Sequence, residues 1–187
     1  GPYVSIVRYN NNGSIDNTFG NQGMYLSATP FQQYLGNLDF GLQSDGKIIF
    51  NLKNQSSGAN EIIRLNANGT SESNFTTVFG FVSQGNFHHM AVRALKVLPN
   101  DGVFLSGFYG YSLNNNSDNH FLMKFNPDRY PNTTFNVNGR EVSSLFPESE
   151  LTHGKENLDV IEVQNDGKVL TAGYFDMNNS GSRILLL

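Results

Sequence analysis

The 187-residue sequence contains no cysteine and no tryptophan, and only 15% of its residues are charged. The absence of cysteine excludes disulfides and thiolate metal sites, and it favours a bacterial protein or a reducing compartment over a eukaryotic extracellular domain. The formal net charge is −4, and no basic stripe is present. Because phosphate binding needs clustered Lys and Arg, no nucleic-acid partner is expected. No apolar run approaches the roughly 20 residues that span a bilayer, so no membrane insertion is expected.

One motif occurs three times, as an apolar strand that carries a basic residue and then an Asn. Its copies are IVRYNNNGSIDNTF, IIRLNANGTSESNF and LMKFNPDRYPNTTF. Arg8, Arg64 and Lys124 occupy equivalent positions, 56 and 60 residues apart. Each copy ends in a Phe nine residues after its Asn, which we interpret as an anchor that fixes the turn onto a core: Phe19, Phe75 and Phe135.

A second motif alternates with the first, in the copies LDFGLQSDGKIIFNL, RALKVLPNDGVFLSGFY and LDVIEVQNDGKVLTAGYF. Each copy predicts two strands around a tight turn, in which Gly supplies a positive φ and Asp caps the turn. The first motif ends in a similar Asn-Gly turn in two copies, but its third copy has Asp128-Arg129. We therefore expect the third turn to differ. The Asp-Gly pairs of the second motif are Asp45-Gly46, Asp101-Gly102 and Asp166-Gly167.

Two motifs that share a period of about 60 residues predict an all-β repeat protein, and no segment shows a sustained helical period. Four strands per repeat indicate a β-propeller-like array of about three four-stranded blades. A β-solenoid and a flattened β-sandwich are the alternatives. We expect residues 1–187 to form a single all-β repeat domain, with repeats at about 3–60, 61–119 and 120–187.

The strings IVRYNNNGSIDNTFGNQG and VIEVQNDGKVLTAGYF resemble the two halves of the delta-60 repeat, a family of bacterial secreted and surface proteins. The resemblance extends over nearly the whole chain and is weakest in the middle copy after Phe75. It implies a propeller-like all-β architecture and a secreted or cell-surface bacterial location. It implies no activity and no cofactor, because the family brings no established catalytic residues.

The sequence begins and ends on the same strand of the repeat, near Val4 and at residues 182–187. Three repeats therefore do not close into a ring by themselves, and an unpaired apolar edge would remain. We expect the chain to be a fragment of a longer protein or part of a homo-oligomer.

The repeat register divides the predicted surface into two ends. Short Asp-Gly and Asn-Gly turns occupy one end, whereas the connections at the other end differ in every copy. Binding residues are often found on variable loops of a rigid scaffold, so we place the candidate ligand-binding site at the variable end. Its candidate residues are aromatic, His or Asn: Tyr34, Phe87, His88, His89, Tyr109, Tyr111, Asn114 and His153.

No metal or catalytic constellation emerges from the remaining polar residues. The four histidines lack HxH or HExxH spacing, and their simplest interpretation is as polar loop residues, including His120. Residues 176–181 resemble the first half of a calcium loop but lack the acidic residue that completes it. One predicted loop contains Glu148, Glu150 and His153. Its paired carboxylates could act as acid and base in a glycan-processing enzyme.

These observations favour a non-catalytic binding module of a secreted or surface-displayed bacterial protein, similar to an adhesin, that recognises a glycan or a protein. Exposed Tyr beside Asn, Gln and His suits such ligands. The alternatives are a structural element that oligomerises in an extracellular assembly and, third, a glycan-processing enzyme.

Overall fold

The computed structural model describes residues 1–31, 38–79, 82–83, 86–87, 89–110, 118–143, 155–177 and 181–186. Among these residues every regular element is a β-strand, and none forms a helix of the length and apolarity needed to cross a membrane. The predicted all-β fold is confirmed. The strands are β1 Ser5–Val7, β2 Met24–Leu26, β3 Phe40–Leu42, β4 Ile48–Lys53, β5 Asn60–Leu65, β6 Ser71–Phe79, β7 Val82–Ser83, β8 Asn86–Phe87, β9 His89–Val97, β10 Val103–Gly110, β11 Asp118–Phe125, β12 Arg140–Ser143, β13 Lys155–Val163, β14 Val169–Met177 and β15 Gly181–Leu186.

The strands form successive antiparallel meanders that follow the repeat. Sheet 1 contains β1 and β2, sheet 2 contains β3 to β6, sheet 3 contains β9 to β12, and sheet 4 contains β13 to β15. Among the described residues one parallel residue pair, Asp118 with Lys155, connects sheets 3 and 4 into one hydrogen-bonded sheet of seven strands, and β7 and β8 form a small hairpin. When the repeats are aligned, β1 and β15 occupy the same position as β5 and β11. These are the third strands of sheets 2 and 3. Sheets 2 and 3 are thus complete four-stranded blades.

Among the described residues, three apolar cores lie between consecutive sheets, because strand residues alternate between the two faces. In β4, Phe50 faces sheet 1 while its neighbour Ile49 faces sheet 3. In β10, Leu105 faces sheet 2, and Phe104 packs against Ile161 of sheet 4. Burial on both faces of a sheet is the packing expected of propeller blades, and it explains the near-continuous apolar runs of β4 and β10.

The repeated Phe anchors have the predicted role. Phe19 is fully buried between sheets 1 and 2, and Phe75 is buried in the core between sheets 2 and 3. Phe135 is half-buried and packs edge-on against Phe104, with ring centroids 5.2 Å apart.

Six hairpin turns share one conformation, at residues 10–14, 43–47, 66–70, 98–102, 126–130 and 164–168. In each turn the first N–H donates to the last carbonyl, and the fourth N–H donates to the first carbonyl. An Asn or Asp at the third position accepts a hydrogen bond from the fifth N–H, at 3.0 to 3.3 Å. The fourth position is left-handed, with φ between 64° and 85°. This is a type I turn followed by a left-handed residue, which suits a three-residue hairpin loop.

Two predictions about these turns were wrong. The left-handed residue of the second motif's middle copy is Asp101, with φ 64°, and not Gly102; Asn100 is its capping residue. The turn at Asp128-Arg129 does not differ from its equivalents, since Arg129 itself adopts φ 77°. Hydrogen bonds hold both residues in place: Ser44 N–H donates to Asp101 Oδ1 at 2.6 Å, and the Arg129 guanidinium donates to the Asn74 carbonyl.

Candidate functional site

Most predicted binding residues lie outside the described residues: Tyr34, His88, Tyr111, Asn114 and His153, together with Glu148 and Glu150 of the third hypothesis. Phe87 lies in β8, and His89 begins β9, where its backbone pairs with Gly110. Tyr109 is half-buried, packs against the core between sheets 2 and 3, and accepts a 3.4 Å hydrogen bond from Asn119 Nδ2 at its hydroxyl. Ligand binding by all eight residues stays a prediction.

Buried polar contacts fix the strand ends from which the variable connections leave. Lys53, at the end of β4, donates from Nζ to the Met90 carbonyl at 2.9 Å. Asn60, at the start of β5, donates to the same carbonyl at 3.5 Å. Burial lowers the pKa of Lys53. These contacts tie the ends of two sheet 2 strands to the first strand of sheet 3.

A second buried contact lies at the variable end between sheets 3 and 4. His120 Nδ1 is 2.7 Å from Glu156 Oε2, and the two side chains are 4% and 0% exposed. The interpretation of His120 as a polar loop residue was therefore wrong: it lies in β11, three residues after the undescribed segment 111–117. Glu156 lies in β13, two residues after the undescribed segment 144–154. The pair therefore fixes the bases of two variable connections.

A cation on the third strand joins consecutive sheets at the opposite end. Arg64 donates to Glu72 at 2.5 Å and 3.0 Å, and its guanidinium carbon stacks 3.6 Å from the Phe75 ring centroid. It also donates to the Pro127 carbonyl in sheet 3 at 3.2 Å. The hydrogen bond from Arg64 holds the pKa of Glu72 below its ordinary value.

The same contact occurs one repeat earlier. Arg8 donates to Asp16 at 2.8 Å, lies 4.8 Å from the Phe19 centroid, and donates to the Ala67 carbonyl of sheet 2 at 2.7 Å. Ala67 and Pro127 occupy the same turn position. The sequence contains a pattern that could have predicted this contact, because an acidic residue follows each Arg by eight residues and a Phe follows it by eleven.

The first strands of sheets 2, 3 and 4 (β3, β9 and β13) line a cleft. A cavity of about 760 Å³ opens at the turn end, and a second of about 510 Å³ lies farther along the same strands. Lys96 and Glu162 form a 2.7 Å ion pair across the cleft, which lowers the pKa of Glu162. Arg93 of β9 and Asp159 of β13 occupy equivalent positions in their repeats, and their side chains approach to 4.0 Å. A β-bulge interrupts each strand at this position.

The polar side chains described along the cleft bind one another and do not converge on one position where a ligand could bind. Ser44 Oγ donates to Asp101 Oδ2 at 2.5 Å, and Gln43 Nε2 donates to the Asp101 carbonyl at 2.7 Å. Within the described part of the chain, no three His, Asp or Glu residues lie close enough to hold a metal ion. Chemically, this arrangement fixes the sheets against each other.

Comparison with known proteins agrees with this geometry. Residues 2–19, 43–75 and 164–187 match the model of a domain of unknown function (DUF5122) described as a β-propeller. These stretches contain the four turns with Gly in the left-handed position, and the turns of Asp101 and Arg129 lie outside them. No curated protein sequence matches the chain. The chain is thus similar to β-propeller repeat proteins, and its succession of antiparallel sheets has that all-β architecture.

Proposed function

We propose that this chain is a non-catalytic recognition module, of the delta-60 type, from a secreted or surface-displayed bacterial protein. It presents variable connections at one end of a β-propeller scaffold to a glycan or protein ligand. The observation that carries the proposal is the rigid support beneath these connections, because His120 and Glu156 fix the bases of two of them. Binding loops gain affinity when a scaffold pre-organises them.

The use of charged side chains supports a non-catalytic role. Arg8, Arg64 and Lys96 pair with acids while they join consecutive sheets or stack on Phe. A catalytic acid or base needs a pKa matched to its task and access to a substrate. The resolved pKa shifts of the carboxylates are all downward, as expected for anions that accept hydrogen bonds.

The delta-60 assignment is supported by the six equivalent turns. Each turn needs Asn or Asp at its third position and a left-handed fourth residue, and this need accounts for the Asn-Gly and Asp-Gly pairs that carry the resemblance. The pairs are therefore structural residues of the repeat. Ligand specificity belongs to the connections at the other end.

A glycan array, together with binding to bacterial and host cells before and after protease treatment, tests the recognition role. We expect binding that falls at least tenfold in Tyr111→Ala and Asn114→Ala variants. Tyr130→Ala is the matched control, since Tyr130 is an exposed Tyr of the turn end. Protease-resistant binding identifies a glycan ligand, and protease-sensitive binding a protein. Absence of binding to every probe, or an equal loss in the Tyr130 variant, would contradict the proposal.

A further inference from the structure

The interface between sheets 2 and 3 contains a partly buried cation, Lys53, at its variable end. Lys53 lies on the face of sheet 2 that packs on sheet 3, because Ile49 of the same strand belongs to the core between these sheets and side chains alternate along a strand. Lys53 Nζ donates to the Met90 carbonyl at 2.9 Å. Asn60, directly opposite on β5, donates to the same oxygen at 3.5 Å. A carbonyl oxygen has two lone pairs, so this acceptor is fully used.

The Lys53 ammonium has more donors than the described residues accept. An ammonium carries three N–H groups. Within the described part of the chain, that of Lys53 has one hydrogen-bond partner and forms no ion pair. Burial lowers its pKa, whereas a nearby acid would raise it. Glu61, the acid next to Asn60 in β5, lies on the opposite face of sheet 2, where it accepts a 3.0 Å hydrogen bond from Asn54.

The equivalent interface between sheets 3 and 4 has an acid in the corresponding place. When the repeats are aligned on their turns, Asn60 of sheet 2 corresponds to His120 of sheet 3. In the same alignment Met90 of sheet 3 corresponds to Glu156 of sheet 4. The side chains of His120 and Glu156 pair at 2.7 Å. Sheet 3 therefore supplies a thioether where sheet 4 supplies a carboxylate, and the interface of sheets 2 and 3 has a cation without an acid.

We propose that the ligand supplies this acid, and that it is an acidic glycan whose carboxylate binds the Lys53 ammonium. The inference rests on the proposed recognition function and names the class of ligand for it. Lys53 is the last residue of β4, and the variable connection 54–59 follows it, so the ammonium lies at the end of the scaffold assigned to the ligand. An ion pair with a carboxylate is stronger at a site partly removed from water than at an exposed one.

The groups around Lys53 favour a sugar over an acidic peptide. The connection 54–59 carries no charge, and it exposes the amide of Gln55 and the hydroxyls of Ser56 and Ser57. Its backbone is fixed, because Asn54 Oδ1 accepts hydrogen bonds from the N–H groups of Ser56 and Ser57 at 2.9 Å and 3.2 Å. One cation among uncharged amide and hydroxyl groups matches a sugar ring that bears one carboxylate among its hydroxyls. A run of acidic side chains would need several cations.

Binding of carboxylated sugars and of their methyl esters to the whole chain tests the inference. The probes are sialyllactose and trigalacturonic acid, each compared with its methyl ester by isothermal titration calorimetry. We expect at least one acid to bind, with an affinity at least about tenfold above that of its ester and of the Lys53→Met variant, as loss of a charged hydrogen bond predicts. Lys168→Met is the matched control, because Lys168 lies at the turn end with a side chain 77% exposed, and it should bind like the wild type.

Circular dichroism establishes that the Lys53 variant is folded, and the comparison of acid with ester needs no variant. Equal affinity for acid and ester, or unchanged affinity in folded Lys53→Met, would overturn the inference. It would also be overturned if neither acidic sugar bound, or if polyglutamate bound in their place. In each of these cases the recognition function survives when other members of the glycan array or the cells are bound. Absence of binding to every probe contradicts the recognition function as well.

Discussion

Two glycines of sheet 4 have different structural reasons for lacking a side chain. Gly167 has φ 85° and open space around the position of a Cβ, so an Ala there would meet only backbone strain. Gly173 has ordinary β backbone, but a Cβ would overlap the carbonyl of Asn157 on β13. This overlap is with backbone, which cannot rotate away.

We therefore expect Gly167→Ala to reduce the free energy of unfolding by about 1 kcal/mol, the cost of a left-handed non-Gly residue. Gly173→Ala should reduce it by about 3 kcal/mol, as overpacking against fixed atoms does. Urea unfolding followed by circular dichroism measures both. A Gly173 variant as stable as the Gly167 variant would contradict the described pairing of β13 with β14.

Arg64 connects sheet 2 to the turn of sheet 3, and it is only 14% exposed. We expect Arg64→Met to lower the free energy of unfolding by about 2 kcal/mol, since its hydrogen bonds to Glu72 and Pro127 involve a charged group. Lys168→Met is the control, because Lys168 and its partner Asp166 are 77% and 53% exposed. Such an exposed pair contributes little, so the control should unfold at an unchanged urea concentration.

The same variant should alter the response to acid. The pKa of Glu72 is lowered in the folded protein, so the stability from this group is present above its unfolded pKa. That stability is lost as the pH falls through the lowered folded pKa. We expect the wild type to lose more stability than Arg64→Met between about pH 6 and pH 2 in urea titrations, because the ordinary pKa of a Glu side chain, about 4, lies within this range. Parallel pH profiles of the two proteins would contradict this role.

At the scale of the elements, consecutive sheets are joined by polar contacts as well as by apolar cores. Ser106 Oγ on β10 donates to the Leu158 carbonyl on β13 at 3.1 Å, next to the buried pair of His120 and Glu156. A buried carboxylate that loses its partner is costly, whereas an apolar replacement of both partners often is not.

We expect His120→Phe to lower the free energy of unfolding by about 3 kcal/mol, because Glu156 would keep its burial and lose its His partner. The double variant His120→Phe/Glu156→Leu should recover at least half of that loss. Urea unfolding of both variants and of Glu156→Leu completes a double-mutant cycle. A His120 variant as stable as the wild type would show that the pair does not join the sheets.

The elements differ in how far the sequence predicts them. The strands, the hairpins and the core position of Phe19 follow from alternation and turn residues, which are local signals. The sequence predicts that Gly102, like the Gly of the other Asp-Gly pairs, is the left-handed residue of its turn. That prediction is wrong because hydrogen bonds from Ser44, 57 residues away, hold Asp101 in the left-handed region. His120 was misplaced for the same reason, since its partner Glu156 lies on another sheet and no local pattern marks the pair.

For the candidate site, the sequence predicts the division into a uniform and a variable end, because that division follows from the repeat register. It does not predict the support beneath the variable end. Lys53 and the Met90 carbonyl that it contacts belong to different repeats, and only the packing of sheet 2 on sheet 3 brings them together.

At the scale of the whole molecule, the central claim is that successive sheets of the repeat pack face to face, as in a propeller. Lys96 of sheet 3 and Glu162 of sheet 4 test it directly, since their side chains lie 2.7 Å apart although the residues are 66 positions apart. A carbodiimide joins a Lys amine and a carboxylate in contact without adding a spacer. Lys47 and Glu72, 3.9 Å apart within sheet 2, provide the internal control.

The decisive measurement is therefore carbodiimide cross-linking of the wild-type chain, followed by peptide mass spectrometry of the band with the mass of a single chain. We predict an amide between Lys96 and Glu162 in that band, lost in Glu162→Gln, beside the amide between Lys47 and Glu72. Recovery of the amide within sheet 2 without the amide between sheets 3 and 4 would contradict the face-to-face packing.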